Sequence, residues 1–314
     1  MNPKELEGRI LTVCGPVDAE SLGITLAHEH ILADMTAYFT KPKEATEKKM
    51  AFAPVTLENL HWIYTHLMGN KDDLIMSDED LAIDEVMRFK KAGGKTIVEM
   101  SCVGLGRDPL GLKRVSLATG LNIVMGAGYY VGCSHPEELA KMSEEAIADT
   151  IVKDILYGVD GTGVHAGIIG EIGCSLPLMD GERKVLRASA SAQRKTGVAI
   201  NIHPSRSDEV ILEIKDILIK SGADLHRVVI SHAGHFGYRE ETIREMADAG
   251  CYIEFDTFGH PALPIECFTE EERLLEMPSD VQRIYHIIKL IEAGYLKQIL
   301  LFIFLITDIY SRKH

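Results

Sequence analysis

Two histidines separated by one residue, His28 and His30, are the sharpest chemical signal in this sequence. They stand at the end of an apolar run, Ile24–His28, whose composition is typical of a β-strand. Side chains alternate along a strand, so both imidazoles point to the same side and can bind one metal ion. The pair alone is weak support for a metal site, because two loop histidines would show the same spacing. Glu29 points away from them, a position that suits support of the histidines better than ion binding.

Other apolar runs in the sequence also end in a histidine or an acid. The residues at these ends are Glu171, His203, His232 and Asp308. In a closed barrel of parallel strands the carboxyl ends meet around one opening, which would bring these side chains together. Four imidazoles and two carboxylates suit two borderline divalent cations such as zinc. One carboxylate could bridge the ions, and two ions about 3.5–4 Å apart share a hydroxide in the two-metal arrangement for hydrolysis.

The elements that must position these residues follow a repeated pattern of β-rich runs and helix-like stretches. Eight runs are strand candidates: Ile24–His28, Thr96–Met100, Asn122–Ala127, Ala166–Glu171, Val198–His203, Val228–His232, Cys251–Asp256 and Gln298–Ile306. Seven stretches between them carry helix start and stop signals, at about 77–93, 109–119, 143–158, 181–196, 207–220, 240–249 and 279–292. Eight strands that alternate with helices in roughly 280 residues favour an α/β fold of the (β/α)8 TIM barrel type.

The chain is predicted to be a single metal-dependent hydrolase barrel domain over residues 1–314, because no linker or low-complexity tract divides it. Ile31–Asn70 would form an elaborated connection after the first strand, on the face where such barrels place their active sites. The eighth strand is followed only by Ile309–His314, which is too short for a further helix. We therefore expect a barrel that lacks the final helix, either with one face uncovered or as a truncated product.

The composition restricts the classes of function. Of the 314 residues, 46% are hydrophobic and 25% are charged, which is typical of a soluble globular protein. The net charge of −14 disfavours nucleic acid and anionic membrane surfaces as partners. The six cysteines form no Cys-x-x-Cys pair, the N-terminus has no apolar leader, and the apolar run Ile299–Ile306 is too short to span a membrane. We expect a cytoplasmic protein that acts on a small molecule, with a homodimer as one open option for its assembly.

Five segments of the sequence together carry a resemblance to a known family. They are Thr25-Leu-Ala-His-Glu-His-Ile, Gly126-Ala-Gly-Tyr-Tyr-Val, Gly167-Ile-Ile-Gly-Glu-Ile-Gly-Cys-Ser, Ile202-His-Pro-Ser-Arg and Gly250-Cys-Tyr-Ile-Glu-Phe-Asp. In these segments the sequence resembles the phosphotriesterase family of the amidohydrolase superfamily, and within it the phosphotriesterase-related branch. The resemblance covers residues 8–293, nearly the whole chain.

This resemblance implies a ligand set and an activity. The two ions would be held by His28, His30 and Asp308 on one side and His203 and His232 on the other, bridged by Glu171. Many relatives carry a carbamylated lysine where Glu171 stands. A hydroxide that bridges the ions would be the nucleophile, and Asp308 would be the catalytic base. The family's activities include hydrolysis of phosphotriesters and lactones and, in the related branch, of small N-acyl amides such as N-acetyltaurine. We favour the amide; the alternatives are a phosphotriester or lactone hydrolase and an inactive, C-terminally truncated barrel that only binds.

Two further residues near the predicted opening could contact the substrate. Tyr130 follows the third strand, and Arg206 lies three residues past His203, where a guanidinium could bind an anionic tail. The alternatives are an aromatic packed over the rim for Tyr130 and an exposed loop arginine for Arg206. Asp256, at the end of the seventh strand, either supports the site or caps a turn. The run before Asp308 is about four residues longer than in the family pattern, which leaves the register of this acid open.

Overall fold

The computed structural model describes residues 7–66, 68–259, 264–265, 275–276 and 278–301. Within these residues, eight parallel strands form one sheet in which each strand pairs with the next along the chain. The barrel strands are β1 (Thr25–Glu29), β2 (Thr96–Glu99), β3 (Asn122–Ala127), β4 (Ile168–Gly173), β5 (Ile200–His203), β6 (Val228–Ile230), β7 (Tyr252–Phe255) and β8 (Ile299–Leu301). No ladder joins β1 to β8 among the described residues, so the barrel is nearly closed. The predicted (β/α)8 fold is confirmed.

A helix follows each of the strands β1 to β7 in the described part of the chain. The barrel helices are α1 (Glu79–Lys91), α2 (Pro109–Thr119), α3 (Glu144–Leu156), α4 (Asp180–Thr196), α5 (Asp208–Lys220), α6 (Glu240–Asp248) and α7 (Asp280–Glu292). Five of the seven begin after an Asp or Ser whose side chain accepts a backbone N–H of the first turn, and the sequence predicts all seven within two residues at each end. In α2, for example, the Asp108 carboxylate accepts the backbone N–H of Gly111, and Gly120 ends the helix in the left-handed conformation at φ 67°.

The strands and the inner faces of the helices share one apolar core. All six residues of β4 are buried, as expected for a strand that is covered on both faces. Val185 of α4 and Ile211 and Ile214 of α5 are fully buried in the same core. Complete burial of an aliphatic side chain contributes about 1.5–3 kcal/mol, so this core provides a rigid frame for the carboxyl ends of the strands.

The connection between β1 and α1 is long and has structure of its own, as the sequence predicts. Its elements are Ala33–Asp34 paired with Ile75–Met76, and the short helices Ala45–Ala51 and Leu60–Thr65. The buried Asn70 side chain donates to the carbonyl oxygens of Met50 at 2.7 Å and Ala53 at 2.9 Å, which fixes the middle of the connection. Tyr38 of this connection packs edge-on against Tyr130, just past the carboxyl end of β3. The connection therefore lies over the face that carries the predicted site.

A hairpin that the sequence analysis did not anticipate precedes β1. In this hairpin Arg9–Thr12 pairs with Gly15–Asp18. The backbone N–H of Val13, in the turn between the two strands, donates to the carbonyl oxygen of Ile123 at 2.9 Å. Ile123 lies near the amino end of β3, so the hairpin contacts the barrel at the end opposite to the site.

The C-terminal expectations fall outside the described residues. The predicted strand Gln298–Ile306 begins within one residue of β8, whose described part ends at Leu301. Asp308, and the segment from which the lack of a final helix was inferred, lie beyond residue 301 and outside the described residues. The single domain over residues 1–314 stays a prediction. Within the described ranges, the helices are all too short or too polar to cross a membrane.

Candidate metal centre

Glu171 lies at the centre of the site, on β4, and its side chain is 1% exposed. Close backbone packing sets its position. A Cβ at Gly126 of β3 would come within 2.0 Å of the carbonyl oxygen of Gly170, and a Cβ at Gly170 would lie 2.8 Å from the carbonyl oxygen of Asn201 in β5. Gly170 also has a φ of 147°, a conformation that side-chain-bearing residues rarely adopt. Glycines at these two positions therefore let β3, β4 and β5 approach closely around the Glu171 carboxylate.

Four imidazoles surround this carboxylate. The Oε1 atom of Glu171 lies 2.7 Å from Nε2 of His232, 2.8 Å from Nδ1 of His203 and 3.5 Å from Nε2 of His28. The Oε2 atom lies 3.5 Å from Nε2 of His30. Five residues that the sequence places at four different strand ends are thus brought to one point, and the alternation argument for His28 and His30 holds, because both rings face Glu171.

The ring nitrogens that face away from Glu171 are held by other polar groups. Nδ1 of His232 lies 2.5 Å from Oδ2 of Asp256, and Nδ1 of His30 lies 3.0 Å from the Ser101 hydroxyl. Such contacts fix the ring orientation and leave the opposite nitrogen directed into the site. For Asp256, left open between support and a turn cap, the structure therefore shows support of His232. Ser101 was not assigned this role from the sequence, since a serine after a strand gives no signal for it.

His28 is held in the same way by a residue that the sequence analysis missed. Its Nδ1 lies 3.2 Å from Oε2 of Glu254 and 3.3 Å from the hydroxyl of Ser231, and all three side chains are fully buried. Glu254 lies on β7, two residues before Asp256, which directly follows the strand, so the two side chains face the barrel interior together. A glutamate flanked by apolar residues in a predicted buried strand was the available signal.

The electrostatics of the site favour a positive charge next to Glu171. Burial alone raises the pKa of the Glu171 carboxyl, but His28 and His203, with hydrogen bonds from His203 and His232, hold that pKa well below its ordinary value. Burial lowers the pKa of His232, yet Asp256 and Glu171 outweigh this effect and raise it to about 9. Burial also lowers the pKa of His203, and this effect exceeds the opposite effect of Glu171. Glu171 is therefore ionised at neutral pH although its side chain is almost completely buried.

The residues present fit a divalent cation. Donor atoms of His28, Glu171 and His232 lie within 4.8 Å of one another. The Oε2 atom of Glu171 is buried and accepts no hydrogen bond from the described residues, an arrangement that is unfavourable for an ionised carboxylate without a cation. Imidazole nitrogens and carboxylate oxygens are the ligands that zinc takes in proteins. The group of donor atoms within 4.8 Å contains His28 and His232 but not His30. The division predicted from the resemblance, with His28 and His30 on one ion and His203 and His232 on the other, therefore stays a prediction.

Tyr130 lies at the edge of the site, next to His203. Its hydroxyl is 3.3 Å from Nδ1 and 3.4 Å from Nε2 of the His203 ring, and the two rings meet edge-on. Tyr38, from the connection after β1, also packs edge-on against Tyr130 and was not anticipated from the sequence. Burial raises the pKa of both phenols, so both keep their protons at neutral pH.

The structure gives less information about two other predicted site residues, Arg206 and Asp308. Arg206 is partly buried in the loop after β5, and its charge acts on Tyr238, whose pKa is raised overall by burial. The Tyr238 hydroxyl in turn donates to the carbonyl oxygen of Ser205. A contact of Arg206 with substrate stays a prediction. Asp308 lies outside the described residues, so its roles as ligand and base also stay predictions.

Comparisons with known proteins agree with this geometry. The N-acetyltaurine hydrolase of Xenopus tropicalis is 40% identical to this chain over 291 residues. The match covers 92% of this chain and 82% of that protein. The N-acetyltaurine hydrolase of Homo sapiens is 38% identical over 92% of this chain and 82% of that protein. Among solved structures, a resiniferatoxin-binding protein from Rhodobacter sphaeroides superposes with a TM-score of 0.88 at 37% identity, covering 94% of this chain and 80% of that one.

A second solved structure is the phosphotriesterase homology protein from Escherichia coli, with a TM-score of 0.69 at 28% identity, covering 90% of this chain and 81% of that one. The model of the phosphotriesterase family matches residues 8–314. The resemblance inferred from the five sequence segments is thereby confirmed over nearly the whole chain: this protein belongs to the phosphotriesterase family.

Proposed function

We propose that the protein is a metal-dependent hydrolase that cleaves the amide bond of a small N-acyl compound with an anionic tail, such as N-acetyltaurine. The observation that carries this proposal is the convergence of four imidazoles on the buried Glu171 carboxylate at the carboxyl end of the barrel. The choice of substrate is supported by the names of relatives at 40% identity over more than nine tenths of the chain.

Two divalent cations, zinc being the best match to the donors, would be held in this centre. The ligands would be His28, His30, Glu171, His203, His232 and, from the sequence, Asp308. Support comes from the donor set and from the buried Glu171 oxygen that accepts no hydrogen bond from the described residues. When bound, the cations would supply a water of lowered pKa and a positive charge that polarises the substrate carbonyl oxygen.

The protein's own side chains would orient the reactants and move the proton. Asp256 accepts from Nδ1 of His232 and keeps its Nε2 directed at Glu171. The protonated hydroxyl of Tyr130, beside His203, would donate a hydrogen bond to the substrate carbonyl oxygen. The Asp308 carboxylate would take the proton of the attacking water and deliver it to the nitrogen of the leaving amine.

Arg206 would select for the anionic end of the substrate. It stands three residues after His203, in the loop at the carboxyl end of β5, and it is partly buried. A guanidinium there could hold a sulfonate or carboxylate with two hydrogen bonds. An uncharged phosphotriester or lactone would gain nothing from this residue.

The substrate proposal is tested by rates on N-acetyltaurine, an aryl phosphotriester and a γ-lactone, with Arg206→Ala beside the unchanged protein. We expect N-acetyltaurine to be preferred, and Arg206→Ala to raise its KM about 100-fold without a similar change for the neutral substrates. Arg239→Ala is the matched control, because Arg239 is an exposed loop arginine that pairs with Asp208. An equal loss on all three substrates would identify a structural arginine. No turnover of any of them by metal-loaded protein would favour the inactive barrel.

The metal proposal is tested by elemental analysis of the purified protein. We expect about two divalent ions per chain, mainly zinc, and a loss of about half in the His28→Ala/His30→Ala double variant. A folded protein that retains no metal would contradict the proposal. The cytoplasmic location, the homodimer and the lack of nucleic-acid partners stay predictions from the sequence.

A further inference from the structure

One buried carboxylate near the site, Glu254, takes no part in the function proposed above. It lies in β7 between Ile253 and Phe255, two residues that belong to the apolar core. Alternation along the strand turns Glu254 toward the barrel interior, on the same side as Asp256. A fully buried acid in a strand is unfavourable for folding unless its charge is compensated, which calls for an explanation of its presence.

The side chains that contact Glu254 form a hydrogen-bonded network with His28. Its Oε2 atom accepts the Ser231 hydroxyl at 2.6 Å and the Asn201 side-chain amide at 3.3 Å, and lies 3.2 Å from Nδ1 of His28. The Ser231 hydroxyl also lies 3.3 Å from the same nitrogen and 3.0 Å from the Asn201 side-chain oxygen. Side chains from β5, β6 and β7 thus form a buried polar network beneath one imidazole of β1.

This network contacts Nδ1 of His28, the ring nitrogen that faces away from Glu171. The Oε2 atom of Glu254 accepts from Ser231 and Asn201 and faces Nδ1 of His28, so this ring nitrogen is the one placed to donate to Glu254. Nε2, which lies 3.5 Å from Oε1 of Glu171, is then the ring nitrogen whose lone pair can face the site. A cation needs that lone pair, because a metal binds the unprotonated imidazole nitrogen.

We propose that Glu254 is a positioning residue that fixes the ring and tautomer of His28 and thereby sets the affinity of the cation that His28 binds. The inference rests on the proposed metal centre. The second carboxylate of this strand, Asp256, lies 2.5 Å from Nδ1 of His232 and serves as an internal comparison. One strand end therefore supports two histidines through two different acids.

The surroundings of the second carboxylate oxygen of Glu254 distinguish a positioning role from a purely structural one. Its Oε1 atom is buried and has no hydrogen-bond partner among the residues that the structure describes. Replacing the carboxyl group with an amide should thus cost the metal-free fold little while weakening the hold on His28. A residue that only stabilised the fold would show the opposite pattern, because its loss would lower the melting temperature.

The test compares Glu254→Gln, Glu254→Asp and Asp256→Asn with Glu182→Gln. Glu182 is a buried acid that accepts the backbone N–H groups of Gly132, Ser175 and Met179, so it is a structural control. Each protein is stripped of metal, titrated with Zn²⁺ against a chromophoric chelator, and melted without metal. The Co²⁺-loaded forms are compared by their visible absorption spectra, which report ligand geometry.

We expect Glu254→Gln to weaken one of the two Zn²⁺ binding steps about 10-fold or more and to change the other less than threefold, with no fall in the metal-free melting temperature. Glu254→Asp withdraws the carboxylate from Nδ1 and should weaken the same step, whereas Asp256→Asn should weaken the other. Glu182→Gln should lower the melting temperature and leave both steps unchanged.

Equal Zn²⁺ binding by Glu254→Gln and the unchanged protein, or a lower melting temperature as its main effect, would overturn the role of Glu254. Failure of the unchanged protein to bind Zn²⁺ would instead overturn the proposed metal centre. The two failures are therefore distinguishable in a single set of titrations.

Discussion

The hydroxyl of Tyr130 lies 3.3 Å from Nδ1 of His203, the same ring nitrogen that lies 2.8 Å from Oε1 of Glu171. The hydroxyl thus stands at the edge of the centre, where a substrate group that approaches Glu171 would meet it. Tyr38 packs edge-on against the Tyr130 ring, so the phenol has packing contacts that hold it in place before any substrate arrives.

Tyr130→Phe should lower kcat/KM for the preferred substrate by about 10-fold, because one hydrogen-bond donor to the reacting carbonyl is removed. The melting temperature and zinc content should stay close to those of the unchanged protein. Steady-state kinetics with metal analysis would check this. Tyr129→Phe is the control on the adjacent residue, whose ring packs against His135 instead. Equal effects of the two substitutions would rule out a specific role for the Tyr130 hydroxyl.

Gly126→Ala should destabilise the protein by about 1–3 kcal/mol and weaken zinc binding, since its Cβ would press on the carbonyl oxygen of Gly170 next to Glu171. Urea denaturation and zinc titration would measure the two effects. Gly181→Ala, in the first turn of α4 with its nearest neighbour at 3.3 Å, should change stability by less than about 1 kcal/mol. Normal zinc affinity in Gly126→Ala would show that the β3–β4 spacing does not position Glu171.

The buried Glu99 should make the stability of the metal-free protein depend on pH. Burial raises the pKa of this carboxyl to about 8, against the smaller lowering effect of hydrogen bonds from Ser101 and Ile31. An acid whose folded pKa is raised binds its proton more tightly in the folded state, so stability should fall as pH rises from about 4.5 to 8.

Glu99→Gln cannot ionise and should remove that loss. Relative to the unchanged protein, the variant should gain on the order of 4 kcal/mol between pH 4.5 and pH 9, measured by urea denaturation at each pH. Glu79→Gln, at a partly exposed acid paired with Arg114, should show no comparable gain. A pH-independent difference between Glu99→Gln and the unchanged protein would mean that Glu99 does not titrate in this range.

Asp308→Asn should reduce turnover by roughly 10²–10⁴-fold if this acid is the general base, with substrate binding much less affected. The prediction comes from the sequence alone, since residue 308 lies outside the described part of the chain. Single-turnover rates on zinc-saturated protein would separate lost catalysis from lost metal. Near-normal turnover would assign the base to another residue.

Much of the fold and the main ligand candidates could be predicted from the sequence because their signals are local. The apolar run of β4 and the caps of α2 can be recognised from residues that are close together in the sequence. The spacing of His28 and His30 places both side chains on the same side of a strand. The parallel order of the strands then sends Glu171, His203 and His232 to the same end of the barrel, whatever the details of packing.

The residues that hold those ligands could be recognised only in the tertiary structure. Glu254 lies 226 positions from His28, and their contact depends on the curvature that brings β7 and β1 across the barrel interior. Tyr38 reaches Tyr130 only because a long connection folds back over the carboxyl ends of the strands. Local periodicity sets which side of its own strand a side chain faces. Which distant side chain it meets depends on the distances between strands, which closure of the barrel and packing of its core decide.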